Sequence, residues 1–272
     1  MKNIFPFLLF AAIVVSACEE KPIPIPEPAT PKRRVLVEEL TGVTCTKCPD
    51  GARTLTSLQS TFGEGNLIVV SNHSAGNFSN PYPDSKFNFN IPKGQAIADY
   101  LGQPLGYPSA AFDRFLKTGS QTAFVPPSQW SAVLNSEFAK DFGLGLFVQN
   151  EYNPTTREVK IEVTIDPTQT LSGENRLTVF ITQDSIMDPQ LDNGVKKKDY
   201  IHRHVLRAVV TAATGDILSE PLTAGILRKR SFTFTLPDDT WVAKHCSVVA
   251  FVHHGGEPDN EVLQAAERHV VE

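Results

Sequence analysis

Cys45 and Cys48, in the run Cys45-Thr46-Lys47-Cys48, are the residues of this 272-residue chain whose types and spacing point most directly to chemistry. A CxxC that opens a helix sets its first sulfur over the unpaired N–H groups of the first turn, which favours thiolate over thiol. Lys47, between the cysteines, adds a positive charge nearby. In that arrangement Cys45 is the exposed nucleophile and Cys48, one turn in, is the resolving thiol. Two other readings stay open. The pair could be an inert structural disulfide, or part of a zinc site. Zinc would need two further ligands, no second CxxC exists, and only scattered histidines remain. Neither a metal nor a cofactor is expected.

The elements around the pair support a redox reading. Val35 to Leu40 is a short β-branched-rich run that predicts a buried strand. After the cysteines, Ala52, Leu55, Leu58, Gln59 and Phe62 recur at helical spacing, and Gly63 and Gly65 stop that helix. Asn66 to Ser71 predicts a second strand. Strand, CxxC, helix, strand resembles the opening of a thioredoxin-like fold, and the resemblance implies further roles. Glu39, six residues before Cys45, matches the buried acid that accepts the resolving thiol's proton. If the strand alternates, either Glu38 or Glu39 must point inward. Gly106-Tyr107-Pro108 precedes a further strand run, where such proteins carry a cis-proline loop facing the CxxC. Cys45, Cys48, Glu39 and Pro108 are thus the candidate catalytic group. Thr46, Lys47 and the backbone of Tyr107 would face substrate. Thr44 stands where a tryptophan usually precedes the first cysteine, and His73 to Leu101, with a helix expected at Lys93 to Leu101, exceeds the minimal fold. A closing helix is expected over Ser128 to Lys140.

From Phe142 onward the pattern changes to short alternating runs. Strands are predicted at Leu144–Tyr152, Glu158–Ile165, Leu177–Ile181, Val205–Thr211, Ser231–Leu236, Val248–His253 and Val262–Ala265. Six or seven strands without a strong helix suggest an immunoglobulin-like sandwich. His202 and His204, and the His253-His254 pair, could in principle bind metal, but such histidines are more often solvated or hydrogen-bonded. Cys246, beside an apolar strand, reads as a small packed hydrophobe.

The N-terminus reads as an address. Lys2 and an apolar run from Ile4 to Val15 form a secretory signal, too short to span a bilayer. Val15-Ser16-Ala17-Cys18 resembles a bacterial lipobox, so Cys18 is expected to carry the lipid that anchors the chain to a membrane. Five prolines between Lys21 and Pro31 predict an extended arm that holds the folded body away from the membrane. Glu19 and Glu20 resemble the acidic export signal of surface lipoproteins in Bacteroidetes. Twenty-five Lys and Arg against 30 Asp and Glu leave a net charge of −5, which argues against a nucleic-acid partner. Four cysteines in 272 residues exclude a disulfide-stapled scaffold.

Taken together, the run from Val35 to Arg53, the Gly106-Tyr107-Pro108 segment, Tyr200 to Arg207 and Glu261 to Ala265 resemble the 28-kDa outer-membrane lipoprotein family of Bacteroidetes. The resemblance implies an α/β plus all-β chain: signal over 1–17, lipidated Cys18 and linker over 18–34, a thioredoxin-like domain over 35–141 and an immunoglobulin-like β-sandwich over 142–272. It implies location and architecture more firmly than activity. Thiol–disulfide exchange on exported proteins is one expectation. A non-catalytic surface binding or adhesion role is the other.

Overall fold

A computed structural model describes residues 32–63, 65–256 and 259–272. The signal, Cys18 and most of the proline-rich arm lie outside the described residues. The first half contains β1 (Val35–Leu40), α1 (Cys48–Phe62), β2 (Leu67–Asn72), α2 (Pro92–Tyr100), β3 (Ser109–Phe112) and α3 (Trp130–Phe138). The second half begins with β4 (Leu144–Asn153), β5 (Glu158–Pro167), β6 (Asn175–Gln183), β7 (Ile186–Met187), β8 (Gln190–Asp192) and β9 (Val195–Lys197). It continues with β10 (Ile201–His202), β11 (Val205–Val209), β12 (Asp216–Ile217), β13 (Arg228–Thr235), β14 (Cys246–His254) and β15 (Val262–His269).

In the first half the chain follows the expected order. β1 and β2 run parallel, joined by α1, and β3 returns antiparallel against β1. Every residue of β1 and β2 is buried, because both faces of this sheet are covered. Val35, Val37, Leu67 and Val69 pack under α1 and α3 with Leu55, Trp130 and Leu134. Leu36, Leu40, Ile68 and Val70 face the other way, toward Ile97 and Ala98 of α2 and Phe251 of β14. The sequence requires one of Glu38 and Glu39 to point inward, and the fold goes further. Both are buried, on opposite faces, and Glu38 meets the charge of buried Arg114 at 2.7 Å. The closing helix is shorter than expected: Pro127–Gln129 forms a 3₁₀ turn before α3 starts at Trp130. Trp130 anchors it, its indole N–H donating to the Val125 carbonyl.

All seven strands expected after Phe142 are present, and their ends shift by a few residues. β4, β5 and β13 form a separate three-stranded sheet. Its apolar face (Leu146, Val148, Ile161, Val163) packs against Val179, Ile181, Val248 and Ala250 from β6 and β14. That second layer belongs to a larger sheet ordered β15-β14-β6-β11-β2-β1-β3, with β12 on β6. The continuity runs across the break expected at 141/142. β11 pairs antiparallel with β6 on one side and parallel with β2, through Val205 and Ser71, on the other. Pro31–Glu272 is accordingly one compact unit. The physical reason lies at the edge of β2. Without β11 that edge would leave buried N–H and C=O groups unpaired.

Candidate functional site

The turn Gly42–Cys48 joins β1 to α1, and Cys45 and Cys48 are disulfide-bonded with their Cα atoms 5.4 Å apart. Cys48 is the first helical residue and Pro49 follows it, where a missing N–H costs nothing. The turn is closed by Cys45 N–H to the Gly42 carbonyl and held from outside by Thr44 N–H to Phe78 O. Cys45 is not the exposed nucleophile expected from the sequence: it is 4% exposed, and Cys48 is 1%. Thr46 and Lys47, at the crest, are exposed.

Two of the expected group lie beside the first turn of α1. A side chain at Gly51, three residues into α1, would stand 2.8 Å from Pro108 Cβ and 2.9 Å from Glu39 Oε1. Glu39 and Pro108 therefore both border Gly51, in the first turn of the helix that the cysteines open. The Tyr107–Pro108 bond is cis. Tyr107 lies edge-on to Phe78 at 6.0 Å. Glu39 is fully buried. Ser71 donates to its Oε2 at 3.1 Å, while Oε1 has no hydrogen-bond partner. Burial pushes its pKa up to about 8, opposed only in part by the Ser71 hydrogen bond. A cavity of about 180 Å³ opens beside it, lined among others by Arg53, Ser71, Tyr200, Arg203 and His204.

One part of the site was not foreseen. β8 and β9 form a hairpin that docks on the CxxC turn. The buried Gln190 amide donates to the carbonyls of Gly42 (3.2 Å) and Cys45 (3.3 Å). Leu191 N–H donates to Val43 O and Asn193 N–H to Thr46 O. Gly194 N–H donates to the Thr46 hydroxyl, and Lys47 Nζ to Asn193 Oδ1. Asp192, its carboxyl held down to about 2 by Arg53 and then Lys197, pins the hairpin to α1 at 3.1 Å from Arg53. Asn193 and Gly194, at φ 48° and 84°, sit at the hairpin's tip. Asn-Gly at such a tip is a sequence signal for a two-residue hairpin. Nothing in the sequence says where the hairpin docks.

The histidines expected as weak metal candidates separate. His202 is buried against His73 and Phe89, with Nε2 3.3 Å from the Asp188 carbonyl. The chain at His204 turns to φ 52°, which breaks the strand alternation, and its ring lies 3.6 Å from Asp184. His253 bonds Thr178 and the His254 carbonyl. Among the described residues no three His, Cys, Asp or Glu side chains gather as a metal-holding set. Cys246 is a buried free thiol, its pKa pushed up to about 12 by desolvation.

The model of the outer membrane protein Omp28 family matches residues 95–272, which is more than half of the sequence. The chain belongs to the Omp28 outer membrane protein family. The match begins after the CxxC turn and includes Pro108, the hairpin and the whole second half. Among solved structures, HBP35 of Porphyromonas gingivalis, a Bacteroidetes species, is similar with a TM-score of 0.68 and 18% identity, over 88% of this chain and 76% of that one. At that identity the likeness speaks to the fold alone. β-Glucosidase 3B from Thermotoga neapolitana matches 49% of this chain at a TM-score of 0.23 and 13% identity. No curated protein matches. Family membership places the chain among outer membrane proteins. No helix among the described residues is long and apolar enough to cross a membrane.

Proposed function

We propose that this Omp28-family protein is a lipid-anchored thiol–disulfide oxidoreductase acting on exported proteins. The carrying observation is that Glu39 and Pro108 both border Gly51, in the first turn of the helix that the Cys45–Cys48 disulfide opens. In this reading β1-α1-β2-β3-α3 is a thioredoxin-like half. The remaining strands are an immunoglobulin-like sandwich fused to it through β11. In the reduced form the Cys45 thiolate attacks a substrate disulfide, forming a mixed disulfide and releasing one substrate thiolate. The Cys48 thiol then gives its proton to ionised Glu39 and attacks Cys45 Sγ. The mixed bond breaks, the second substrate thiolate leaves, and the Cys45–Cys48 disulfide is restored. A carboxyl with a pKa near 8 can exchange that proton close to neutral pH. Thr46, Lys47 and Tyr107 would meet the substrate at the rim. Cys18 would carry the lipid, with the body on the periplasmic or cell-surface face.

The test is insulin reduction together with trapping by Cys48→Ser, which should hold a substrate on Cys45 in cell envelopes. A Cys18→Ala variant should leave the membrane fraction. A second reading is supported by the burial of Cys45 beside the β8–β9 hairpin: a surface binding or adhesion lipoprotein whose disulfide is purely structural. Absence of both turnover and trapped partners would favour it.

A further inference from the structure

The β8–β9 hairpin makes a pattern of contacts that packing alone does not require. Three of its backbone or side-chain donors go to carbonyls of the CxxC turn, at Val43, Cys45 and Thr46. In effect the hairpin adds a short strand to a loop. Gln190 is the innermost of these groups. Its side chain is 2% exposed, and its amide is shared among Gly42, Cys45 and Leu191 carbonyls. A buried amide aimed at the backbone of the attacking cysteine fixes that cysteine's position. It does so from 145 residues away. The outer end of the hairpin is held by charge, Asp192 to Arg53 on α1 and to Lys197 on β9.

We propose that the β8–β9 hairpin is a clamp on the CxxC turn, with Gln190 as its positioning residue, and that it controls access of thiols and disulfides to Cys45. This rests on the oxidoreductase reading for its purpose, but its physical content is separate. When a small thiol reduces the protein, its thiolate attacks Cys45 Sγ and the Cys45–Cys48 bond breaks. Cys48 leaves as thiolate and takes up a proton. A second thiolate then attacks the mixed disulfide and frees Cys45 as the thiol reductant is oxidised to its own disulfide. The first attack needs the turn to open toward the thiol, and the clamp opposes that opening.

The experiment compares the full chain with Gln190→Glu, which keeps size but removes the donor, and with Asp192→Asn, which weakens the outer pin. Reduction of the disulfide by dithiothreitol is followed by alkylation and mass shift at fixed pH. Near-ultraviolet circular dichroism identifies folded variants. Folded variants should reduce about tenfold faster, the factor that corresponds to losing one or two net hydrogen bonds. Hydrogen exchange on the unaltered protein supplies the arm that does not depend on folding of a variant. The amides of Leu191, Asn193 and Gly194 should exchange faster in the reduced than in the oxidised form. Unchanged reduction rates in folded variants, or equal exchange at these amides in both forms, overturns the clamp. Faster reduction without insulin turnover in any variant would keep the clamp and remove the oxidoreductase reading. Insulin turnover with unchanged reduction rates would do the reverse.

Discussion

Glu39 and the buried histidines make opposite demands on pH. Glu39 is held near 8 in the fold, chiefly by burial, against an ordinary 4.5. Below 4.5 it is neutral whether the chain is folded or not. As pH rises from there toward 8 the unfolded chain loses its proton first, so folding is progressively disfavoured. Glu39→Gln should therefore match the parent in stability near pH 4 and exceed it at pH 9, by an upper bound of roughly 5 kcal/mol at about 1.4 kcal/mol per pKa unit. Urea unfolding across that range measures the difference curve, and a flat curve would refute the burial argument. His73 and His202 are held down to about 3 and about 4, first by desolvation. They cost nothing above 6.5 and disfavour the fold as pH falls below it. Between pH 4.5 and 6.5 the two histidines outweigh the single glutamate, so from these three groups the stability maximum should lie near pH 6.5. Gly51 sets a tighter limit. A methyl there meets Pro108 and Glu39 at under 3 Å, so Gly51→Ala should cost about 1–3 kcal/mol and shift α1. Thermal melting and the alkylation rate of the reduced Cys45 check both effects.

At the scale of elements, the β1-α1-β2 unit was legible because its signals are local: a β-branched run, a CxxC, an apolar helical face, and Gly63 at φ 93° as the stop. The β8–β9 hairpin was half legible. Asn193-Gly194 announces a tight turn, but the partner for its edge lies in a turn far back along the chain, and no periodicity encodes that pairing. Cys45 was expected to be exposed for the same reason, since nothing near it in sequence reveals what packs beside it. The helix at 93–101 and the strand ends were right to within a few residues, as boundaries set by local pattern usually are. That Glu38 is buried as well as Glu39 was not legible, because alternation places only one of them inward and β1 has no wet face.

At the scale of the molecule, the decisive feature is one sheet shared by both halves. β11 is the bridging strand, between β2 and β6. Phe180 and Phe251 from the second half pack in the same cluster as Leu36 and Ile68 from the first. A fragment ending at Asp141 should therefore lack a cooperative unfolding transition, because it loses both the strand on the edge of β2 and one face of its core. The seven strands after Phe142 were readable one by one. That four of them, β6, β11, β14 and β15, join the first half's sheet was not, since strand patterning records which face is apolar and not which edge finds a partner.

The central claim is that Cys45 and Cys48 form a working dithiol pair rather than a structural staple. The reduction potential of the pair in the full-length protein, set by equilibration with glutathione, tests this most directly. For a working pair it lies above about −300 mV, within the range of exchanging dithiols, and Cys48→Ser captures a mixed disulfide. A potential well below about −300 mV, with no captured partner, would contradict it.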